Sequence, residues 1–176
     1  MLAHPAREIE LVFDSDYTLA VKHEMVSVGR KLWERQYVDG NGGNIAIKVG
    51  DDLALCTPTL VSKGKLQPED ICLVDFEGNQ ILGTKKRTSE ILMHLQIMKR
   101  QPKAVATCHC HPPYSTGFAV AGMEPPTCMI PEYEVFASVA IAPYRTPGTP
   151  EMRDATTTTR SASPRATIST LYSAGI

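Results

Sequence analysis

Two histidines separated by one residue are the side chains whose type and spacing most suggest chemistry. His109 and His111 lie in the stretch TCHCHPP, residues 107–113, in a chain with five histidines. In a β-strand, side chains i and i+2 point to the same face, about 7 Å apart. Both imidazoles could therefore reach one zinc ion, whose Zn–N bonds are ~2.0–2.1 Å. The spacing predicts a zinc site, and the alternative is a pair of structural or exposed histidines.

The cysteines beside these histidines are predicted to point the other way. Cys108 and Cys110 alternate with the histidines, so a strand would direct both thiols towards the core. That arrangement argues against a structural Cys/His zinc knuckle. The chain has five cysteines, an odd number without a framework spacing, which favours free thiols over disulfides.

A carboxylate at the start of a predicted helix could complete the metal site. Residues 88–102, TSEILMHLQIMKRQP, have apolar residues at helical spacing, with Thr88 or Ser89 as the expected N-cap and Pro102 as the end. Glu90 then lies at the helix N-terminus, where the macrodipole stabilises a negative charge. Capping alone would explain this position, but the nearby histidine pair makes Glu90 a candidate for chemistry.

A glycine-rich turn offers an anion site. DGNGGN, residues 39–44, joins a predicted helix to a predicted strand, and its glycines can turn successive N–H groups inward. Asn44 adds an amide donor, and the hydroxyls of TPTLVSKGK and RTSE could join it around one phosphate. The alternative is a helix C-cap followed by a turn. The turn lacks the Walker pattern, which argues against a nucleotide.

Hydrophobic patterning places these residues in an α/β fold. An amphipathic helix is predicted over residues 18–36, whereas residues 1–18 give no clear prediction. One turn of helix or a tight turn is expected at LQPEDI, residues 66–71. Strands are predicted at 44–49, 52–57, 71–78, 79–84, 104–111 and within 129–144. Without regular βαβ alternation, the order predicts a three-layer α/β/α fold with a mixed, largely antiparallel central sheet.

Length and charge limit the classes of function. The 176 residues suit one domain, predicted over 1–154, and the Thr/Ser/Ala-rich segment 155–176 is predicted to be a disordered tail. The formal net charge of -1 gives no reason to expect nucleic acid or an anionic membrane as partner. No apolar run reaches the ~20 residues of a membrane span. The N-terminus is charged rather than signal-like, so a cytoplasmic protein is expected.

Five motifs, in order, resemble one family. They are GNGGNIAIKVGDDLALCTPT, SKGKLQPEDICLVDFEGN, TSEILMH, VATCHCHPPYSTGFAVAG and APYRTPGTPEM. From about residue 20 to about residue 153, the chain resembles the class II aldolases, which include L-fuculose-1-phosphate aldolase and L-ribulose-5-phosphate 4-epimerase. The epimerases usually have aspartate after the paired hydroxyls, so Glu90 favours an aldolase-like member.

The resemblance implies a role for each matching residue. Glu90, His109 and His111 would bind one Zn²⁺ per subunit, and Glu90 would also accept and donate the catalytic proton. Five residues would bind the substrate phosphate: Gly43, Asn44, Thr59, Thr88 and Ser89. The implied reaction is retro-aldol cleavage of a short 2-keto sugar phosphate, with zinc stabilising an enediolate. The family also implies a homotetramer.

Two departures from the family affect this expectation. The family has glycine after the threonine of its phosphate turn, whereas this chain has Leu60. The family also takes a third zinc histidine from a later strand, and no histidine follows His111 here. We therefore expect a truncated or frame-shifted C-terminus and weaker zinc binding. A non-enzymatic assembly module, like the adducin head domain of the same fold, is the alternative function.

Overall fold

The computed structural model describes residues 6–126, 131, 135, 138–141, 145–146, 149, 151 and 168–171. The chain divides into two compact units, Met1–Cys110 and His111–Ile176. The helices of the first unit are α1 Ala6–Phe13, α2 Asp16–Glu34 and α3 Ile91–Arg100. Its strands are β1 Asn44–Lys48, β2 Leu53–Cys56, β3 Cys72–Asp75, β4 Gln80–Leu82 and β5 Ala106–His109. In the second unit the described elements are α4 Pro113–Val120, β6 Ser138–Ile141 and β7 Ile168–Leu171.

The sheet of the first unit places the histidine-bearing strand beside the strand that follows the glycine turn. Its order is β4-β3-β2-β1-β5, and every neighbouring pair is antiparallel. Asn44 is the register partner of His109, so the end of the glycine turn lies next to the histidine. In the second unit, β6 and β7 pair in parallel.

Alternation along the central strands explains how the sheet is covered on both faces. Large residues such as Ile45 and Leu55 pack with α2, whereas small ones such as Ala46 and Ala54 pack with α3. Because successive strand residues point to opposite faces, each strand contributes to both cores. These layers confirm the predicted three-layer α/β fold with its largely antiparallel sheet.

Local chemistry accounts for where α2 begins and for a short turn in a later connection. Ser15 caps α2 by accepting a hydrogen bond from the Thr18 N–H at 3.2 Å. The helix therefore begins two residues before the predicted start. Pro68–Asp70 forms the expected single turn of 3-10 helix, closed by the Asp70 carboxylate on the Gln67 N–H.

The predicted strand over 104–111 is wrong at its C-terminal end. β5 ends at His109, so strand alternation does not extend to His111. Pro112 and Pro113 follow and lack the N–H groups that a strand ladder needs. The predicted direction of the thiols is also wrong, because Cys108 is exposed and Cys110 is half-buried. β5 is the edge strand of the first unit's sheet, and Cys108, the register partner of Ile45, belongs to neither of the described core clusters.

Several predictions fall partly outside the described residues. Of the tail at 155–176, only Ile168–Leu171 is described, as strand β7. Within the strand-like segment 129–144, Ser138–Ile141 forms a strand. Four cysteines lie within the described residues and are free thiols, while Cys128 lies outside them. Among the described residues, no helix is both long and apolar enough to cross a bilayer.

Candidate active site

Glu90 is held at the N-terminus of α3 by a loop tied to the end of β2. The Thr88 N–H donates to the Thr57 carbonyl at 3.1 Å, and Arg87 pairs with Pro58 in an antiparallel bridge. Glu90 occupies the N-cap position, and its N–H donates to the Thr88 hydroxyl at 3.3 Å. The N-cap of α3 is thus Glu90, one or two residues after the predicted Thr88 or Ser89. The carboxylate is buried and faces the sheet.

Two donors converge on one oxygen of this carboxylate. The Asn44 side-chain amide donates to Glu90 Oε2 at 2.5 Å, and His109 Nδ1 lies 2.9 Å from the same oxygen. Burial opposes ionisation of Glu90, but the hydrogen bond and charge of His109, with the Asn44 amide, outweigh burial and lower its pKa to about 2. Near neutral pH Glu90 is therefore a carboxylate, able to accept a proton or bind a cation.

His94, a residue that the sequence reasoning did not single out, completes this network. It is fully buried on α3, one helical turn after Glu90. Its Nε2 contacts the Asn44 carbonyl oxygen, and its Nδ1 lies 2.7 Å from the Thr107 hydroxyl. Burial, reinforced by the nearby His109, lowers the pKa of His94 to about 3. The i,i+4 spacing from Glu90 was the available signal, because it places both side chains on one helix face.

The donor pair formed by Glu90 and His109 fits a divalent metal ion. A carboxylate oxygen and an imidazole nitrogen are ligands that zinc accepts, and adjacent ligands of a tetrahedral zinc lie ~3.3 Å apart. The observed 2.9 Å is a hydrogen-bond distance, which places the two groups near enough to share an ion once that bond is released. His111 begins the second compact unit. Within the described residues, no group of three or more His, Cys, Asp or Glu side chains is placed to hold a metal. The complete ligand set remains a prediction.

The segments predicted to bind phosphate are brought together. The Ile45 N–H, next to Asn44, donates to the Thr57 hydroxyl at 3.1 Å, which joins the glycine turn to the 57–59 segment. The Thr59 N–H donates to the Lys86 carbonyl at 2.9 Å, which joins that segment to residues 86–88. Hydrogen bonding thus links the turns that carry the five predicted phosphate ligands.

These phosphate candidates differ in how their side chains are used. The Asn44 amide is engaged with Glu90 and His94, and the Thr88 hydroxyl caps Glu90. Thr59 is half-buried and Ser89 is exposed. Gly43 has φ +70 and contributes only backbone. Phosphate binding by these residues remains a prediction, and the geometry favours backbone donors and the exposed hydroxyls for this role.

Leu60 adopts a backbone conformation that suits glycine. Its φ is 59 and its side chain is 78% exposed, so packing does not compensate the left-handed conformation. Such a conformation costs a non-glycine residue about 1–2 kcal/mol. Glycine removes that cost, but it makes the unfolded chain more flexible, which stabilises the unfolded state by about 0.4–1 kcal/mol. We expect Leu60→Gly to raise the free energy of unfolding by about 0.5–1 kcal/mol, measured by urea denaturation.

Leu60→Ala is the matched control for that experiment. It removes the same exposed side chain but keeps a Cβ, so the backbone cost stays and no gain is expected. Equal stability of the alanine and glycine variants would show that the left-handed conformation of residue 60 carries no cost.

Comparison with known proteins assigns the family. Residues 23–169 match the family described as Class II Aldolase and Adducin N-terminal domain. The chain belongs to this family, which confirms the resemblance noted in its motifs.

Relatives within the family have different named activities. The 3-oxo-tetronate 4-phosphate decarboxylase of Haemophilus influenzae is 34% identical over 141 residues, 77% of this chain and 67% of that protein. The L-fuculose phosphate aldolase of Methanococcus vannielii is 41% identical over 113 residues, 64% of this chain and 60% of that protein. A solved L-fuculose 1-phosphate aldolase superposes with a TM-score of 0.71 at 29% identity, covering 77% of this chain and 65% of that one. This chain thus spans between 60% and 67% of these proteins.

Proposed function

We propose that the chain is a zinc-dependent aldehyde-lyase that cleaves a short 2-keto sugar phosphate by a retro-aldol reaction. A substrate resembling L-fuculose 1-phosphate is the first candidate, because aldolases of that name are among the relatives. The observation that carries the proposal is the buried Glu90 carboxylate, which His109 and Asn44 hydrogen-bond. It lies beside the turns that carry the predicted phosphate ligands.

Glu90 would carry the proton transfers. General bases work when they are ionised and directed at the reacting group. A pKa of about 2 keeps Glu90 ionised but makes it a weak base while His109 and Asn44 both bond it, and these two donors fix the position of Oε2. When a metal or substrate displaces the His109 contact, the carboxylate would become able to accept a proton from a substrate hydroxyl and return it to carbon.

Glu90, His109 and His111 would hold the zinc ion. When bound, zinc acts as a Lewis acid that withdraws negative charge as a carbon–carbon bond breaks. The 2.9 Å contact of Glu90 with His109 supports the first two ligands. His111 rests on the family resemblance.

The phosphate would be bound at the other end of the substrate. Gly43 and Ser89 would offer backbone N–H groups, Thr59 and Ser89 would offer hydroxyls, and Asn44 and Thr88 would hold the turn in shape. Neutral donors of this kind orient an anion without a neutralising side chain. By resemblance the chain would assemble as a homotetramer in the cytoplasm.

Metal content and substrate cleavage test the proposal together. We expect the purified full chain to contain about one zinc per subunit and to release an aldehyde from L-fuculose 1-phosphate. Removal of zinc with a chelator should abolish cleavage, and added Zn²⁺ should restore it. His109→Ala removes a proposed zinc ligand and should therefore lower the zinc content. His23→Ala changes an exposed histidine outside the site and should not lower it.

Other outcomes of the same assay identify different functions. Carbon dioxide release from 3-oxo-tetronate 4-phosphate, without aldehyde release from ketose phosphates, would replace the aldolase with a decarboxylase. A folded chain with neither zinc nor turnover would overturn the enzyme and favour an adducin-like assembly module.

A further inference from the structure

The buried side chains around Glu90 form a two-rung ladder between α3 and β5. Thr107 and His109 lie two residues apart on β5, and Glu90 and His94 lie four apart at the start of α3. One rung joins His94 to Thr107 at 2.7 Å, and the other joins Glu90 to His109 at 2.9 Å. The periods of strand and helix thus bring two matched pairs together.

Asn44 connects the two rungs. Its amide nitrogen donates to Glu90 Oε2, and its carbonyl oxygen contacts His94 Nε2. An asparagine amide has two ends of similar shape but opposite hydrogen-bonding character. If the amide turned over, its carbonyl would face the Glu90 oxygen, and two acceptors would repel each other. Something must therefore select the orientation that offers an N–H to Glu90.

We propose that His94 is a positioning residue, which holds the Asn44 amide so that its N–H is directed at Glu90. The Asn44 carbonyl accepts from His94, so His94 must carry its proton on Nε2. A neutral imidazole then accepts at Nδ1, and the Thr107 hydroxyl can donate there. The proton arrangement is thus fixed along the whole ladder, from Thr107 to Glu90.

Burial makes this arrangement hard to replace by water. His94 is 0% exposed and Asn44 is 7% exposed. An unpaired polar group at either position would have no solvent to compensate it. The Thr107 hydroxyl also lies 3.4 Å from the Ala46 carbonyl, to which it could donate instead; in the proposed arrangement its proton is directed at His94 Nδ1, 2.7 Å away.

Two variants of His94 separate positioning from simple packing. His94→Gln places an amide N–H near the former Nε2 and should keep the contact with Asn44. His94→Asn is too short to reach Asn44 and leaves its carbonyl unpaired. The exposed His23→Asn is the matched control. Thermal unfolding of each full-length variant reports stability separately.

Nitrogen NMR of the metal-free chain tests the proposal without any activity assay. We expect His94 to be the Nε2–H tautomer with an accepting Nδ1, and the Asn44 side-chain amide to show one strongly hydrogen-bonded proton. The Asn44 signature should persist in His94→Gln and disappear in His94→Asn. An Nδ1–H tautomer in the unmodified chain, or an unchanged Asn44 signature in His94→Asn, would overturn the proposal.

The effect on turnover rests on the proposed function of Glu90. We expect kcat to fall about 10- to 100-fold in His94→Asn, with KM nearly unchanged and recovery in His94→Gln. Loss of kcat that His94→Gln fails to recover, although it is equally stable, would count against positioning. If the unmodified chain cleaves none of the sugar phosphates, the proposed function fails while the NMR result still decides the role of His94.

Discussion

Glu90→Gln should lower turnover of the sugar phosphate by about 100- to 10,000-fold. Glutamine keeps the size of the side chain and an acceptor oxygen for His109 or Asn44, but it cannot take up a proton. The chain should therefore fold, and because Glu90 is also a proposed zinc ligand, its turnover is compared after saturation with added Zn²⁺. The measurement is kcat with L-fuculose 1-phosphate, alongside metal content and thermal unfolding of the same samples.

Glu77→Gln is the control for loss of a carboxylate as such. Glu77 is 78% exposed and pairs with the partly exposed Lys99 at 3.0 Å. An exposed pair of this kind contributes ~0–1 kcal/mol, so neither stability nor turnover should change much. Full turnover by folded Glu90→Gln would remove Glu90 from proton transfer, whatever the fate of the metal.

Most of the fold could be predicted from the pattern of apolar residues in the strands. Ile45 and Ala46, or Leu55 and Cys56, are apolar neighbours, as expected where a strand is buried on both faces. Such runs identify strands of the central sheet and require helices on both sides. α1 was not foreseen although its eight residues are amphipathic, because a segment of about two turns is too short for its period to identify a helix.

The end of β5 shows where local pattern fails. Alternation treated His109 and His111 as residues of one strand, and the double proline that follows was the contrary signal. The direction of Cys108 was also wrong, because alternation separates two faces without saying which of them is covered. That depends on whether a strand lies at the edge of its sheet, which is set by the whole topology.

Most residues of the candidate site could be identified from the sequence, but the hydrogen bonds between them could not. Glu90 and His109 were both identified, and their contact supports the pairing. Asn44 was expected to bind phosphate, whereas its side chain supports Glu90. His94 was overlooked because a lone histidine on an apolar helix face is more often a core residue. Only the fold shows that its two ring nitrogens have specific partners.

Gly43→Ala should lower the free energy of unfolding by about 1–4 kcal/mol, after subtraction of the ~0.4–1 kcal/mol that alanine gains from a less flexible unfolded chain. Gly43 has φ +70, and this conformation costs alanine about 1–2 kcal/mol. A Cβ at this position would lie 2.5 Å from Val38 Cγ1 and 2.8 Å from the His109 carbonyl oxygen. Overpacking of this kind adds about 1–3 kcal/mol. Because one close neighbour is backbone, rotation of a side chain cannot relieve the contact.

Gly40→Ala, in the same turn, isolates that effect. A Cβ at Gly40 would meet nothing within 4 Å, so its unfolding free energy should change by less than about 0.5 kcal/mol. Urea denaturation of both variants gives the difference directly. A domain has about 5–15 kcal/mol of stability, so Gly43→Ala could remove much of it. Equal stability of the two variants would mean that β1 and β5 can separate at this point, and Asn44 and His109 would then not be held in register beside Glu90.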